Sequence, residues 1–168
     1  MSTEDKALGC CSCKAVRFVI RLPVKYCVHC HCVDCRRSHG AAFVTWISVQ
    51  REDFKLAGRE HLKWYQCSGQ ARRGFCGNCG TPLFFVSTRW PGEIHLTRAS
   101  LAHKVNVPPR AHIHFDKHVD WFPFEDSLPR VGGDTGVGPL PPAPRESEEG
   151  ATAAAEAHPA GAGAPIGM

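Results

Sequence analysis

Phe75-Cys76-Gly77-Asn78-Cys79-Gly80-Thr81-Pro82-Leu83 is the stretch on which the fold of this chain turns. Two residues separate its thiols, and Gly77 and Gly80 permit the tight turn in which backbone N–H groups approach cysteine sulfurs. That spacing is half of a zinc ribbon. Zinc takes four ligands in a tetrahedron, so a second pair has to come from elsewhere. Upstream, Cys11-Ser12-Cys13 and Cys30-His31-Cys32-Val33-Asp34-Cys35 offer two sources.

Spacing favours one assignment. Cys11, Cys13, Cys76 and Cys79 make a closed four-sulfur site, which leaves Cys30, Cys32 and Cys35 as three thiolates at one locus. Three protein ligands and a free fourth position form the pattern of a reactive zinc. The swapped assignment, with Cys76 and Cys79 joining Cys30–Cys35, orphans one C-x-C pair. Cys10, Cys27 and Cys67 fall outside both schemes and read as small buried apolar side chains. His29 and His31 flank Cys30, but strand alternation turns both away from the sulfurs, so they read as structural or supporting residues. His112 and His114 share that ambiguity on a later strand.

Ten cysteines in 168 residues, with a polar start (Met1 to Lys6) and no apolar signal stretch, point to a reducing compartment, the cytoplasm. No run approaches the roughly 18 apolar residues of a membrane span. Basic residues are scattered through residues 1–130, which suits a small anion and makes no nucleic-acid stripe. From Val131 the chain turns acidic and rich in Gly, Pro and Ala, with no aromatic residue. It is expected to be disordered. The expected organisation is a lead at 1–8, a zinc-binding domain at 9–130 and a tail at 131–168. Ala15–Arg21, Ala42–Val49, His61–Gln66, Thr81–Ser87, Glu93–Thr97 and Ala111–Phe115 read as strands. A short helical turn is expected at Val33–Ser38, closed by Gly40. The class is therefore mainly β.

Gly9-Cys10-Cys11-Ser12-Cys13, His29-Cys30-His31-Cys32-Val33-Asp34-Cys35-Arg36-Arg37 and Phe75-Cys76-Gly77-Asn78-Cys79-Gly80-Thr81-Pro82-Leu83 together resemble the glutathione-dependent formaldehyde-activating enzyme family, which includes centromere protein V. The likeness extends to the late His112–Pro129 stretch with Trp121. It implies an Mss4-like, β-tent fold and two zinc ions per chain. It also implies a structural zinc on Cys11, Cys13, Cys76 and Cys79, and a catalytic one on Cys30, Cys32 and Cys35. The implied reaction joins glutathione to formaldehyde, in the carbon–sulfur lyase class. One departure is Lys14, where the family usually has Gly; a positive φ there carries a modest cost.

Glutathione is anionic, so a cation should meet its carboxylates. Arg36 and Arg37 directly follow Cys35 and are the expected contacts, with Arg72 and Arg73 before Cys76 as further candidates. Trp46, Trp64, Trp90 and Trp121 could line a pocket, though core packing is the ordinary role of such rings. The rival expectation is a non-catalytic, zinc-dependent module that binds glutathione or another protein.

Overall fold

The computed structural model describes residues 5–102 and 105–140 of the chain. Its ten strands form two sheets. The smaller sheet is antiparallel in the order β1-β2-β5, from β1 (Lys6–Cys10), β2 (Arg17–Arg21) and β5 (Phe54–Ala57). The larger has the order β10-β3-β4-β9-β8-β7-β6. It comprises β3 (Tyr26–Cys30), β4 (Val44–Gln50), β6 (Leu62–Ser68), β7 (Ala71–Cys76), β8 (Pro82–Ser87), β9 (Glu93–Thr97) and β10 (His112–Ile113). Its pairings are antiparallel except for β10 on β3.

Alternation decides which face of each strand is buried. Phe18 and Ile20 project from the small sheet onto Ile47, Val49, Phe84, Ile94 and Leu96 of the large one. Phe18, Phe54 and Phe84 meet edge-on or tilted, with centroids 5.2–5.9 Å apart. Gly9 on β1 is obligatory, because a Cβ there would stand 2.1 Å from the Phe18 ring. The fold is mainly β, as expected.

The other face of the large sheet carries a different set of side chains. Register places Tyr26, Val28 and Cys30 of β3 beside Ser48, Trp46 and Val44 of β4. Ser48 and Trp46 in turn neighbour His95 and Thr97 of β9. His95 is beside Phe85 of β8, and Phe85 beside Arg73 of β7. The single α-helix among the described residues, α1 (Val33–His39), packs at one end of this face. Gly40 ends it with a left-handed φ of 59°, and its N–H bonds to the Arg36 carbonyl.

Several boundaries differ from expectation. β9 coincides with its predicted span, whereas β1, β3, β5 and β7 were not among the expected strands. β1 takes in residues 6–8 of the expected lead. The Ala111–Phe115 strand shrinks to two residues, because His114 adopts a left-handed φ of 52° and Phe115–Lys117 wind into a 3-10 turn. The expected tail is tied to the body in its first ten residues. Phe115 N–H bonds to the Val131 carbonyl and His114 N–H to that of Gly136. Residues 141–168 of that tail lie outside the described residues.

Candidate metal centres

The first centre joins two turns. Cys11 follows β1, Cys76 closes β7, and the turn at Cys76–Gly80 is held by Gly80 N–H on the Cys76 carbonyl at 2.8 Å. Ser12 N–H reaches the Thr81 hydroxyl at 3.2 Å, stapling one turn to the other. Cys11 Sγ is 3.6 Å from Cys13 Sγ, which is 3.7 Å from Cys76 Sγ. Sulfurs on a tetrahedral zinc at ~2.3 Å stand about 3.8 Å apart, so the four thiols fit such an ion. All four sulfurs are within 4.8 Å of one another.

Backbone donors already address these sulfurs. Val16 N–H points at Cys11 Sγ at 3.3 Å. The Thr81 hydroxyl, 3.1 Å from Cys79 Sγ, and the Thr81 backbone together hold that thiol down to about 5. Such bonds favour the thiolate that a metal requires. Lys14 has a φ of 62°, so this turn keeps the left-handed geometry without a glycine.

The second centre is built on one short segment. Cys30 ends β3, Cys32 caps α1, and Cys35 occupies its first turn. Cys32 Sγ accepts the Cys35 N–H at 3.3 Å, so the ligand spacing and the helix start are one device. The three sulfurs lie within 4.8 Å of one another, with Cys30 and Cys35 buried and Cys32 half-buried. Their mutual hydrogen bonds favour a negative charge within the group of three sulfurs. The Cys35 thiol is held down to about 2 by Cys30 and Cys32, against its burial, with the Arg73 charge adding to the effect. Cys30 is pushed upward by the same hydrogen bonds and by burial.

Arg73, one of four arginines the sequence offered, is the one that reaches this cluster. Its Nη2 donates to Cys35 Sγ at 3.6 Å, and its guanidinium stands 5.1 Å from the Phe85 ring centre. Arg36 donates its Nε to the His31 carbonyl at 3.1 Å, and Arg37 is exposed on α1. Arg72 stacks on Trp64 at 5.2 Å. Trp46 is buried beside the sulfurs, Trp90 meets His95 at 5.3 Å, and Trp121 is exposed.

No described histidine joins either sulfur group. His29 Nδ1 is 2.9 Å from the Thr45 hydroxyl. His31 Nε2 is 2.7 Å from His112 Nδ1, and His112 Nε2 is 3.0 Å from Asp126. Cys10, Cys27 and Cys67 are outside both groups, and Cys67 donates to the Ala71 carbonyl.

A second polar cluster escaped sequence reasoning altogether. Glu93 is buried on β9 and receives the Ser48 hydroxyl at 2.7 Å and the Lys25 ammonium. His95 Nε2 stands 3.3 Å from both Glu93 and the Tyr26 hydroxyl. Only the β4–β9 register, which juxtaposes residues 45 positions apart, could have revealed it. No described helix is long and apolar enough to cross a membrane.

Known proteins are similar to this chain. An uncharacterized lyase of Schizosaccharomyces pombe is 29% identical over 118 residues, covering 69% of this chain and 83% of that protein. The crystal structure of a Rhodobacter sphaeroides protein superposes with a TM-score of 0.51 at 26% identity, covering 59% of this chain and 91% of that one. Residues 6–117, which hold both cysteine groups, match the family described as glutathione-dependent formaldehyde-activating enzyme, and the chain belongs to that family.

Proposed function

We propose that this protein is a carbon–sulfur lyase working in the synthetic direction, joining the thiol of glutathione or a related compound to formaldehyde or another small electrophile. The observation that carries the reading is the unequal division of sulfurs, four in one group and three in the other. Cys11, Cys13, Cys76 and Cys79 would hold a structural zinc. Cys30, Cys32 and Cys35 would hold a second, whose fourth position accepts an incoming thiol and keeps it deprotonated.

The chain's own residues prepare that position. Cys32 is fixed by its bond from the Cys35 N–H, and the buried wall of Val44, Trp46 and Cys30 limits water at the sulfurs. Restricted water favours addition of a sulfur nucleophile over competing hydration of the carbonyl. Arg36 and Arg37, on the helix that carries Cys35, are proposed to attract the carboxylates of the thiol. Ten free cysteines and a need for reduced sulfur suit the cytoplasm.

The test compares formation of S-hydroxymethylglutathione by zinc-loaded wild type, by Cys35→Ser and without protein, since thiols add to formaldehyde unaided. Wild type is expected to exceed both controls. Equal rates in all three reject the reaction, and glutathione binding with no rate enhancement supports a binding module instead.

A further inference from the structure

Arg73 is a charged side chain with more donors than partners. It reaches the three-cysteine group from β7, a strand that carries no ligand of that group, so its placement is a product of sheet register. One nitrogen, Nη2, is occupied by Cys35 Sγ at 3.6 Å. Nε and Nη1 are shielded from solvent and have no hydrogen-bond partner among the described residues. The ring of Phe85 supports the plane of the guanidinium. Arg73 is half-buried, but N–H groups shielded from water and unpaired carry a desolvation cost, which a bound anion offsets.

The charge of the site points the same way. Three thiolates around a divalent ion leave one negative charge, and a fourth thiolate leaves two. Arg73 is the cation in hydrogen-bond contact with that set. A sulfur sharing a zinc with Cys35 would stand about 3.8 Å from Cys35 Sγ, close to the distance already spanned by Nη2. An oxygen two or three bonds beyond that sulfur falls within the reach of the guanidinium fork.

We propose that Arg73 is the anion-binding residue of the three-cysteine site, receiving on Nη1, beside the Nη2 that Cys35 holds, a negatively charged oxygen two or three bonds from the incoming sulfur, whether carried by the thiol compound or formed from the aldehyde. The inference rests on the reading of that site as a thiol site. When a thiolate adds to an aldehyde, its sulfur lone pair forms the C–S bond and the C=O π pair moves to oxygen. Arg73 stabilises the charge there until water supplies a proton, giving the hydroxyl. The thiol's own proton has already left to solvent, so the sum is a thiol plus an aldehyde giving one hydroxyalkyl thioether. Donors placed where charge develops are worth about a hundredfold or more in rate.

The test needs no turnover. Mercaptoacetate carries an anionic oxygen three bonds from sulfur, and ethanethiol carries none. Dissociation constants of both are measured by calorimetry on the zinc-loaded full chain, with zinc content assayed in parallel. Wild type is expected to prefer mercaptoacetate by about tenfold or more, the scale of one charge-assisted contact. Arg73→Gln should keep both zincs, bind ethanethiol within about threefold of wild type and lose the preference. Arg73→Lys retains charge without the fork and should keep only part of it. If Arg73→Gln loses zinc, the lysine variant decides. An unchanged preference in the variants, or none in wild type, overturns the proposal. Failure of wild type to bind either thiol rejects the thiol site itself, and a protein that passes the binding test without catalysing addition loses only the reaction.

Discussion

His31 Nε2 stands 2.7 Å from His112 Nδ1, joining the segment between Cys30 and Cys32 to β10, 81 residues later. Asp126 accepts at His112 Nε2, which places the His112 proton there and makes Nδ1 an acceptor. His31 must then donate from Nε2, leaving its Nδ1 as a bare lone pair, and Nδ1 has no partner among the described residues. Burial favours this neutral form and holds His31 down to about 3. Nitrogen-detected NMR should therefore find both histidines protonated at Nε2 at neutral pH. His112→Phe removes the acceptor while filling the volume, and should cost about 1–3 kcal/mol by leaving the His31 N–H unpaired. A protonated Nδ1 on His31, or a change below 0.5 kcal/mol in urea unfolding, would contradict this chain of bonds.

The two sulfur groups should respond differently to loss of a ligand. Cys76 is fully buried where β7 meets the turn, and with Cys11 it links the two sheets. Cys76→Ser should abolish cooperative folding, since a structural zinc contributes folding energy directly, about 10–16 kcal/mol in small zinc domains. Cys35→Ser should leave the near-native circular dichroism and one zinc by elemental analysis, against two in wild type. Equal unfolding of both variants would remove the distinction between a structural and a reactive centre.

How much of this was legible in the sequence depends on the range of each contact. The grouping of the cysteines was readable because each ligand set comes in pairs or a triplet within six residues. β9 was readable because its apolar and polar residues are bounded by Pro91-Gly92 and Arg98. β7 was not, since Ala71-Arg72-Arg73-Gly74-Phe75-Cys76 lacks β-branched residues and is held by neighbours on both sides. Arg73 differed in no local respect from Arg36, Arg37 or Arg72, and only the β7–β8 register aims it at Cys35. The bond between His31 and His112 likewise depends on a parallel pairing of two residues that periodicity cannot locate.

Glu93 gives a pH signature. Burial raises its carboxyl, but the bonds from Lys25 and Ser48 prevail and hold it below its usual 4.5. A carboxyl lowered in the fold stabilises above its unfolded value, and that contribution fades as pH falls through the folded value. Glu93→Gln should therefore cost about 1–3 kcal/mol at pH 7, where the Lys25 and Tyr26 groups lose their charged acceptor. The gap between wild type and variant should narrow below pH 4.5. Taking the difference cancels acid release of metal from the cysteines, which both proteins share. A gap that stays constant from pH 7 to pH 3 would show that the carboxylate charge is not what stabilises this cluster.

Lys14 supplies a last test, because it holds a conformation that its Cβ disfavours. Its φ is 62°, its N–H bonds to the Cys11 carbonyl at 2.9 Å, and its side chain is exposed. The turn is therefore fixed by the Cys11 backbone, which bonds to Lys14 and Val16 on either side of Ala15, rather than by the residue at position 14. Replacing Lys14 with Gly removes a left-handed strain of about 1–2 kcal/mol. It also loosens the unfolded chain, at a cost of about 0.4–1 kcal/mol. The net expectation for Lys14→Gly is a gain of about 0.5–1 kcal/mol, read as a higher urea midpoint at unchanged slope in zinc-loaded protein. Lys14→Ala keeps the strain and should show no such gain. If Ala and Gly stabilise equally, the effect belongs to the lysine charge and not to the backbone.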